Sequence, residues 1–186
     1  MDHTEAIVQI NNLIDDKFCN EMIKIINERA VKKMTIGNTS KQTLDKNIRN
    51  VFGFNLSYKE DEIIYKKINS QIEKLYTYYK AKFLDVLENK KINQIDLLKY
   101  EVGCKYDVHT DTMTDGTRNV SVIINLNNDY KGGELFFTNP MKVNQKIKNL
   151  KLGKGSIVFF PGNFMYPHGI ELVTEGTRYS IVAWLQ

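Results

Sequence analysis

Cysteine, histidine, proline and tryptophan are scarce in this chain of 186 residues, which contains two, three, three and one of them, respectively. The two cysteines, Cys19 and Cys104, are too few for a disulfide framework and have no C-x-x-C spacing. Reduced thiols in a reducing compartment are therefore expected.

Long apolar runs are also missing. No stretch approaches the ~20 residues that a membrane-spanning helix needs, so no membrane association is expected. The N-terminal run MDHTEAIVQINNLIDD is broken by acidic residues and lacks the basic start and apolar middle of a signal peptide. These absences predict a cytoplasmic protein.

The chain has neither a linker nor a strong charge bias. It contains no repeat and no Pro- or Ser-rich segment, and its prolines all come late, at 140, 161 and 167. With 42% hydrophobic residues it can bury one core, which predicts a single domain over residues 1–186. A net charge of +4 falls short of a concentrated basic patch, so a nucleic-acid partner is not expected.

The first half, residues 1–90, reads as helical support. After the candidate caps Asp15 and Asp16, apolar residues recur on one helical face. A second helix is predicted over roughly 60–88, with the Tyr76, Tyr78 and Tyr79 cluster assigned to core packing. The segment 36–54 between the helices is polar and then aromatic, which suits either a lid loop over a site or a simple connection.

After residue 90 the pattern changes to short strand-like runs separated by Gly and Asn turns, which favours a β-sandwich or barrel over residues 91–186. The runs are IDLLKYEV, RNVSVIINLN, GELFFT, GSIVFFPG and RYSIVAWLQ. In NVSVIINL the apolar residues 120, 122, 124 and 126 alternate with a second face of mixed polarity. That second face suits either the interior of a ligand-holding barrel or an ordinary half-buried strand.

Two of the three histidines form a candidate metal site with one aspartate. His109 and Asp111 share strand parity, so in an extended chain both side chains point the same way, roughly 7 Å apart along the backbone. His168 begins a later strand-like run. Two imidazoles and one carboxylate are the ligand set of non-haem Fe(II) oxygenases. The H-x-D pair alone is a weak signal, because it is also common as a hydrogen-bonded couple.

Arg178 lies in the apolar run RYSIVAWLQ, where a charged side chain is unfavourable unless it is paired. It could anchor the far carboxylate of a dicarboxylate whose other end chelates the metal. The alternative is that Arg178 lies at the exposed start of a strand.

Together these motifs resemble the Fe(II)- and 2-oxoglutarate-dependent dioxygenases, specifically their prolyl 4-hydroxylase-like branch. The matching features, in order, are Y-x-x-G-x-x-Y-x-x-H-x-D, the turn Y-x-G-G-E-L, the apolar strand before the distal histidine, and the final arginine. The resemblance covers roughly residues 95–186, and the N-terminal half matches only loosely.

The resemblance implies a double-stranded β-helix, or jelly roll, braced by two longer helices. It implies that His109, Asp111 and His168 are the iron ligands, that Arg178 binds 2-oxoglutarate, and that Tyr100 lies by the cosubstrate. Dioxygen would be the co-reactant and ascorbate the reductant. No catalytic side chain beyond the metal ligands is expected. Related halogenases lack the carboxylate, so its presence favours hydroxylation.

Two further positions have counterparts in the family. Trp184 lies where relatives have an aromatic residue near the site, although a tryptophan in a terminal strand also suits a core position. Asn125 stands where some animal relatives have a tyrosine that helps to hold the cosubstrate, which implies that this contact is made differently here.

The resemblance favours a prolyl residue in a peptide or protein as the substrate. Free amino acids, other small molecules and nucleic acids undergo the same chemistry in relatives. Arg49, Asn50 and Trp184 are the candidate substrate contacts. Two other classes stay open, a cupin-like metal-binding module without catalysis and a zinc hydrolase. The sequence does not determine the oligomeric state.

Overall fold

The computed structural model describes residues 2–30, 32–35, 45, 47–83, 91–112 and 118–186. Within these ranges a 3₁₀ turn, His3–Ala6, precedes two helices and thirteen strands, and all the strand pairs are antiparallel. Two sheets lie face to face with an apolar layer between them. The prediction of a mainly β chain with two helices is confirmed.

The larger sheet has six strands. In spatial order they are β1 (Val8–Ile10), β10 (Ser156–Pro161), β6 (Val120–Asn125), β13 (Arg178–Leu185), β4 (Ile92–Tyr100) and β3 (Phe52–Asn55).

The smaller sheet has five strands. In spatial order they are β2 (Arg49–Asn50), β5 (Lys105–His109), β11 (His168–Ile170), β8 (Leu135–Asn139) and β9 (Lys142–Leu150). A separate pair is formed by β7 (Lys131–Gly132) and β12 (Val173–Glu175).

The alternation predicted for β6 is confirmed. Val120, Val122 and Ile124 belong to the core between the larger sheet and the helices, whereas Ile123 belongs to the core between the two sheets. Because side chains alternate along a strand, Ser121 and Asn125 share the inner face with Ile123. The polar positions of β6 are therefore directed into the space between the sheets.

Helix α1 (Asp16–Arg29) begins as predicted, since the Asp15 side chain accepts a hydrogen bond from the Phe18 amide at 2.8 Å. Its buried side chains and those of α2 (Glu62–Lys80) pack on the outer face of the larger sheet. None of the described helices is long and apolar enough to cross a membrane.

The second helix is shorter than the predicted span of 60–88. It ends at Lys80, and the following turn brings Phe83 to 4.9 Å from the Tyr79 ring without continuing the helix. Residues 84–90 lie outside the described ranges. Tyr76 and Tyr79 are core residues as predicted, but Tyr78 is 58% exposed, because it lies on the opposite side of the helix.

The predicted lid over 36–54 is wrong for its last part. Arg49–Asn50 pairs with β5 and Phe52–Asn55 with β4, so the chain passes from one sheet to the other at the fully buried Val51. Pairing of the backbone and burial of Val51 make this segment an edge of the sandwich. Residues 36–44 and 46 lie outside the described ranges.

Candidate metal centre

The structure brings His109, Asp111 and His168 together. His109 at the end of β5 is the direct cross-strand partner of His168 at the start of β11. Asp111 follows β5, and its carboxylate oxygens lie 3.8 Å from His109 Nε2 and 3.6 Å from His168 Nε2. The three ligand atoms lie within 4.8 Å of one another, a separation that suits a single metal ion.

Backbone carbonyls orient both imidazoles. His109 Nδ1 lies 2.8 Å from the Asp107 carbonyl oxygen, and His168 Nδ1 lies 3.0 Å from that of Tyr166. A neutral imidazole that donates from Nδ1 carries its lone pair on Nε2. Both lone pairs are thus available at the nitrogens that face Asp111, which is the arrangement that metal-binding histidines use.

His109 is held neutral. Removal of the ring from water, followed by its proximity to His168, lowers the pKa of His109 to about 3, while Asp111 acts in the opposite direction. The Tyr106 ring stacks on the imidazole with centroids 3.7 Å apart and an angle of 16° between the planes. The stacking restricts the plane of a ligand that is already in its metal-binding protonation state.

Asp111 is buried, with 6% of its surface exposed. Burial raises the pKa of the Asp111 carboxyl, but His168 and His109, with a 2.6 Å hydrogen bond donated by Ser121 Oγ, outweigh burial and hold the pKa below its usual value. The Trp184 indole N–H adds to this lowering, although it does not reach full hydrogen-bond geometry. The carboxylate is therefore anionic and fixed in direction.

Arg178 lies on the inner face of β13 and is 1% exposed. Its Nη1 donates to Ser180 Oγ at 3.0 Å, whereas Nε and Nη2 have no hydrogen-bond partner within the described ranges. Among the described residues no carboxylate lies within ion-pair distance of this guanidinium. A buried cation with unpaired N–H groups is unfavourable, so this geometry suits an incoming anion. The exposed-strand alternative does not hold.

Tyr100 is the cross-strand partner of Arg178, and the guanidinium carbon lies 5.2 Å from the centre of its ring. The tyrosine is 2% exposed, and burial raises the pKa of its phenol. It therefore lies beside the guanidinium of Arg178.

The predicted substrate contacts Arg49 and Asn50 occupy different surroundings. Arg49 Nη2 lies 3.6 Å from the buried Asp96 carboxylate, and its guanidinium packs over Tyr106, the residue stacked on His109. Asn50 instead donates to the Gly103 carbonyl and accepts from Lys33. Tyr106 thus lies between Arg49 and the triad residue His109. The hydrogen bonds of Asn50 are those of a residue that stabilises the local structure.

Several site residues were not singled out from the sequence. Ser121 had a signal, its place on the mixed face of β6, but nothing local indicates that it meets Asp111. Asp96 also had a signal, as a charged residue in the apolar run IDLLKYEV. Arg118, whose guanidinium lies 3.8 Å above the Trp184 ring and donates to Gln94, had none.

Known proteins resemble this chain in sequence. Residues 95–186 match the family model described as the 2OG-Fe(II) oxygenase superfamily. A PKHD-type hydroxylase of Prochlorococcus marinus (strain MIT 9211) is 32% identical over 101 residues, which are 52% of this chain and 43% of the relative. The chain spans about half the length of the curated relatives it matches.

Two solved structures share the fold. A prolyl-4-hydroxylase of Pseudomonas putida superposes with a TM-score of 0.74 at 18% identity, covering 97% of this chain and 92% of that chain. The second is a prolyl hydroxylase from Trichoplax adhaerens, solved in complex with a hypoxia inducible factor oxygen degradation domain peptide fragment. It superposes with a TM-score of 0.74 at 19% identity, covering 98% of this chain and 84% of that chain.

The matched region contains the triad and Arg178. Residues 95–186 therefore belong to the 2OG-Fe(II) oxygenase superfamily, and the similarities group them with its prolyl hydroxylase-like branch.

Proposed function

We propose that this protein is an Fe(II)- and 2-oxoglutarate-dependent dioxygenase that hydroxylates an unactivated C–H bond. The observation that carries the proposal is the presence of two complementary features between the sheets. One is the convergence of His109, Asp111 and His168, and the other is the buried, partly unpaired guanidinium of Arg178. The first feature suits a metal ion and the second an anion. Fe(II) would bind to the triad, and the distal carboxylate of 2-oxoglutarate would bind to Arg178.

The donor set fits Fe(II). Two neutral imidazoles and one carboxylate can occupy one face of the ion and leave positions open for exogenous ligands. When bound, iron, 2-oxoglutarate and dioxygen supply the oxidation: one oxygen atom enters the substrate C–H bond, the other enters succinate, and carbon dioxide is released.

The protein's own residues bind the iron and 2-oxoglutarate and orient them. The carbonyls of Asp107 and Tyr166 hold both imidazoles in the tautomer that presents Nε2. Ser121 holds the Asp111 carboxylate by a hydrogen bond. Arg178 takes the distal carboxylate of 2-oxoglutarate with the N–H groups that have no hydrogen-bond partner among the described residues. Nothing beyond these ligands is required as a catalytic side chain.

The fold and domain proposals follow from the same arrangement. The two facing sheets, with the triad at the end of β5 and the start of β11, form the double-stranded β-helix of this family. The helices share a core with the larger sheet, which supports one oxygenase unit over residues 1–186.

The proposed substrate is a prolyl residue in a peptide or protein. The P. putida and T. adhaerens proteins that share the fold are prolyl hydroxylases, and the second was solved with a peptide. Trp184, which faces the Asp111 carboxylate, and Arg49, which reaches Tyr106, are the candidate substrate contacts nearest to the triad. Asn50 is less well supported as a substrate contact, because it bonds to Gly103 and Lys33.

The test is mass spectrometry of a panel of proline-containing peptides incubated with enzyme, Fe(II), ascorbate and 2-oxoglutarate, with succinate quantified in the same tubes. A peptide that gains one oxygen on proline together with equimolar succinate is the expected result. The variant Arg178→Ala should lose both products. The variant Arg29→Ala, which removes a partly exposed arginine paired with Asp61, should keep both.

The other outcomes separate the alternatives. Succinate without peptide oxidation retains the oxygenase and points to a different substrate. A protein that binds metal but forms no succinate, with or without Arg178, is a binding module. Hydrolysis of a substrate that is faster with Zn(II) than with Fe(II) indicates a hydrolase.

A further inference from the structure

Asn125 cannot serve an incoming carboxylate as a donor, because its amide group is already engaged. Its Nδ2 lies 2.5 Å from the Asn127 carbonyl oxygen, 3.0 Å from that of Leu152 and 3.3 Å from that of Gly153. The side chain is fully buried, so these contacts fix its orientation. Among the described residues its Oδ1 is the atom that meets another side chain, and that oxygen is an acceptor.

The group that reaches Asn125 Oδ1 is the Tyr130 hydroxyl, which donates to it at 3.1 Å. Asn125 is in turn the cross-strand partner of Ser180, and Ser180 Oγ accepts from Arg178 Nη1 at 3.0 Å. The Tyr130 hydroxyl is therefore connected to the guanidinium of Arg178 through Asn125 and Ser180.

Gly133 brings the same two side chains together from the other direction. A Cβ placed on it would lie 3.0 Å from Arg178 Cδ and 3.3 Å from Tyr130 Cε2, so both side chains pack over this glycine. Its φ of +67° is a backbone conformation that favours glycine. The turn thus places the Tyr130 ring and the stem of Arg178 over the same glycine, while the Tyr130 hydroxyl reaches Asn125, the cross-strand partner of Ser180.

We infer that Tyr130 is a cosubstrate-binding residue whose hydroxyl donates to the distal carboxylate of 2-oxoglutarate beside Arg178. The inference rests on the proposed function, since it assumes that Arg178 binds this carboxylate. In the free protein the hydroxyl donates to a neutral amide oxygen. A carboxylate is the stronger acceptor, so the hydroxyl turns from Asn125 to the ligand when the ligand binds.

This arrangement makes Tyr130 a specificity residue. Its hydrogen bond is gained only with a 2-oxo acid that carries a second carboxylate at the correct distance. A ligand of the same chain length that ends in a methyl group leaves the hydroxyl on Asn125 and gains nothing from it. Tyr130 therefore favours dicarboxylates in addition to the charge attraction of Arg178.

The test uses calorimetric titration of the Mn(II)-loaded protein with 2-oxoglutarate and with 2-oxovalerate, in which a methyl group replaces the distal carboxylate. Tyr130→Phe should raise the Kd of 2-oxoglutarate about tenfold, the effect of losing one hydrogen bond to a charged group, and leave the Kd of 2-oxovalerate unchanged. Tyr179→Phe is the matched control, because the Tyr179 hydroxyl donates to Asn27 of α1. It therefore lies on the face of β13 opposite to that of Arg178.

Each outcome is decisive. Tyr130→Phe removes a single oxygen from a half-buried ring, so the variant should fold, and its thermal midpoint without ligand should stay within about 4 °C of the parent protein. A 2-oxoglutarate Kd within twofold of the parent value overturns the inference, as does an equal loss for both ligands. If the parent protein itself does not bind 2-oxoglutarate, the proposed function has failed instead.

Discussion

Replacing Arg178 by methionine is expected to stabilise the ligand-free protein and to abolish its response to 2-oxoglutarate. The guanidinium is 1% exposed, and its Nε and Nη2 have no acceptor in the part of the chain that the structure describes. A buried unsatisfied donor costs about 1–3 kcal/mol, more on a charged group, whereas methionine fills a similar volume without polar atoms. After the loss of the Ser180 hydrogen bond, the net gain in the free energy of unfolding should be about 2 kcal/mol.

The assay is thermal denaturation with saturating Mn(II), with and without 2-oxoglutarate. A gain of about 2 kcal/mol raises the midpoint of a chain of this length by about 4–8 °C. Ligand at 100 times its Kd adds about 2.7 kcal/mol to the parent protein, or about 5–10 °C. Arg178→Met should therefore melt higher than the parent protein without ligand and show no further rise with it.

Two results would refute this reasoning. A variant that melts lower than the parent protein without ligand means that Arg178 has stabilising partners in the folded state. A variant that still gains several degrees from 2-oxoglutarate means that the distal carboxylate binds elsewhere. Lys146→Met provides a control for loss of charge, because this lysine pairs with Glu171 and is half-exposed on β9.

Three further perturbations test the site, the buried ion pair beside it and the core under α1. Ser121→Ala removes the 2.6 Å hydrogen bond to Asp111 and should weaken Mn(II) binding about tenfold by calorimetry, while unchanged affinity would show that the carboxylate is held without it. Arg49→Met leaves Asp96 buried without its cation and should lower the free energy of unfolding in urea by about 3 kcal/mol, an effect that Arg49→Lys should partly restore. Burial raises the pKa of the Cys19 thiol from 9.0 to about 11, so its contribution to stability is complete below pH 9 and is lost as the pH rises towards 11. Cys19→Ala should flatten the fall in unfolding free energy between these pH values, and an unchanged slope would contradict the assignment.

Local patterns were sufficient for much of the fold. The Asp15 cap, the alternation of β6 and the five apolar strand-like runs are all present in the structure. The strand β9 was not predicted, because it lies at the edge of its sheet and most of its side chains are exposed, which removes the apolar alternation. The end of α2 was misplaced because Phe83 keeps helical spacing from Tyr79 while contacting it from a turn.

The sequence by itself determined that His109 and Asp111 lie on the same side of one segment, and it supplied the ordered motifs that connect them with His168 and Arg178. Only the tertiary structure decided that Ser121 meets Asp111, that Arg49 meets Asp96, and that Tyr130 and Arg178 both lie over Gly133. The physical reason is that periodicity and turn residues act over a few neighbours along the chain. Contacts across strands depend on strand order and register, which the packing of the whole core sets.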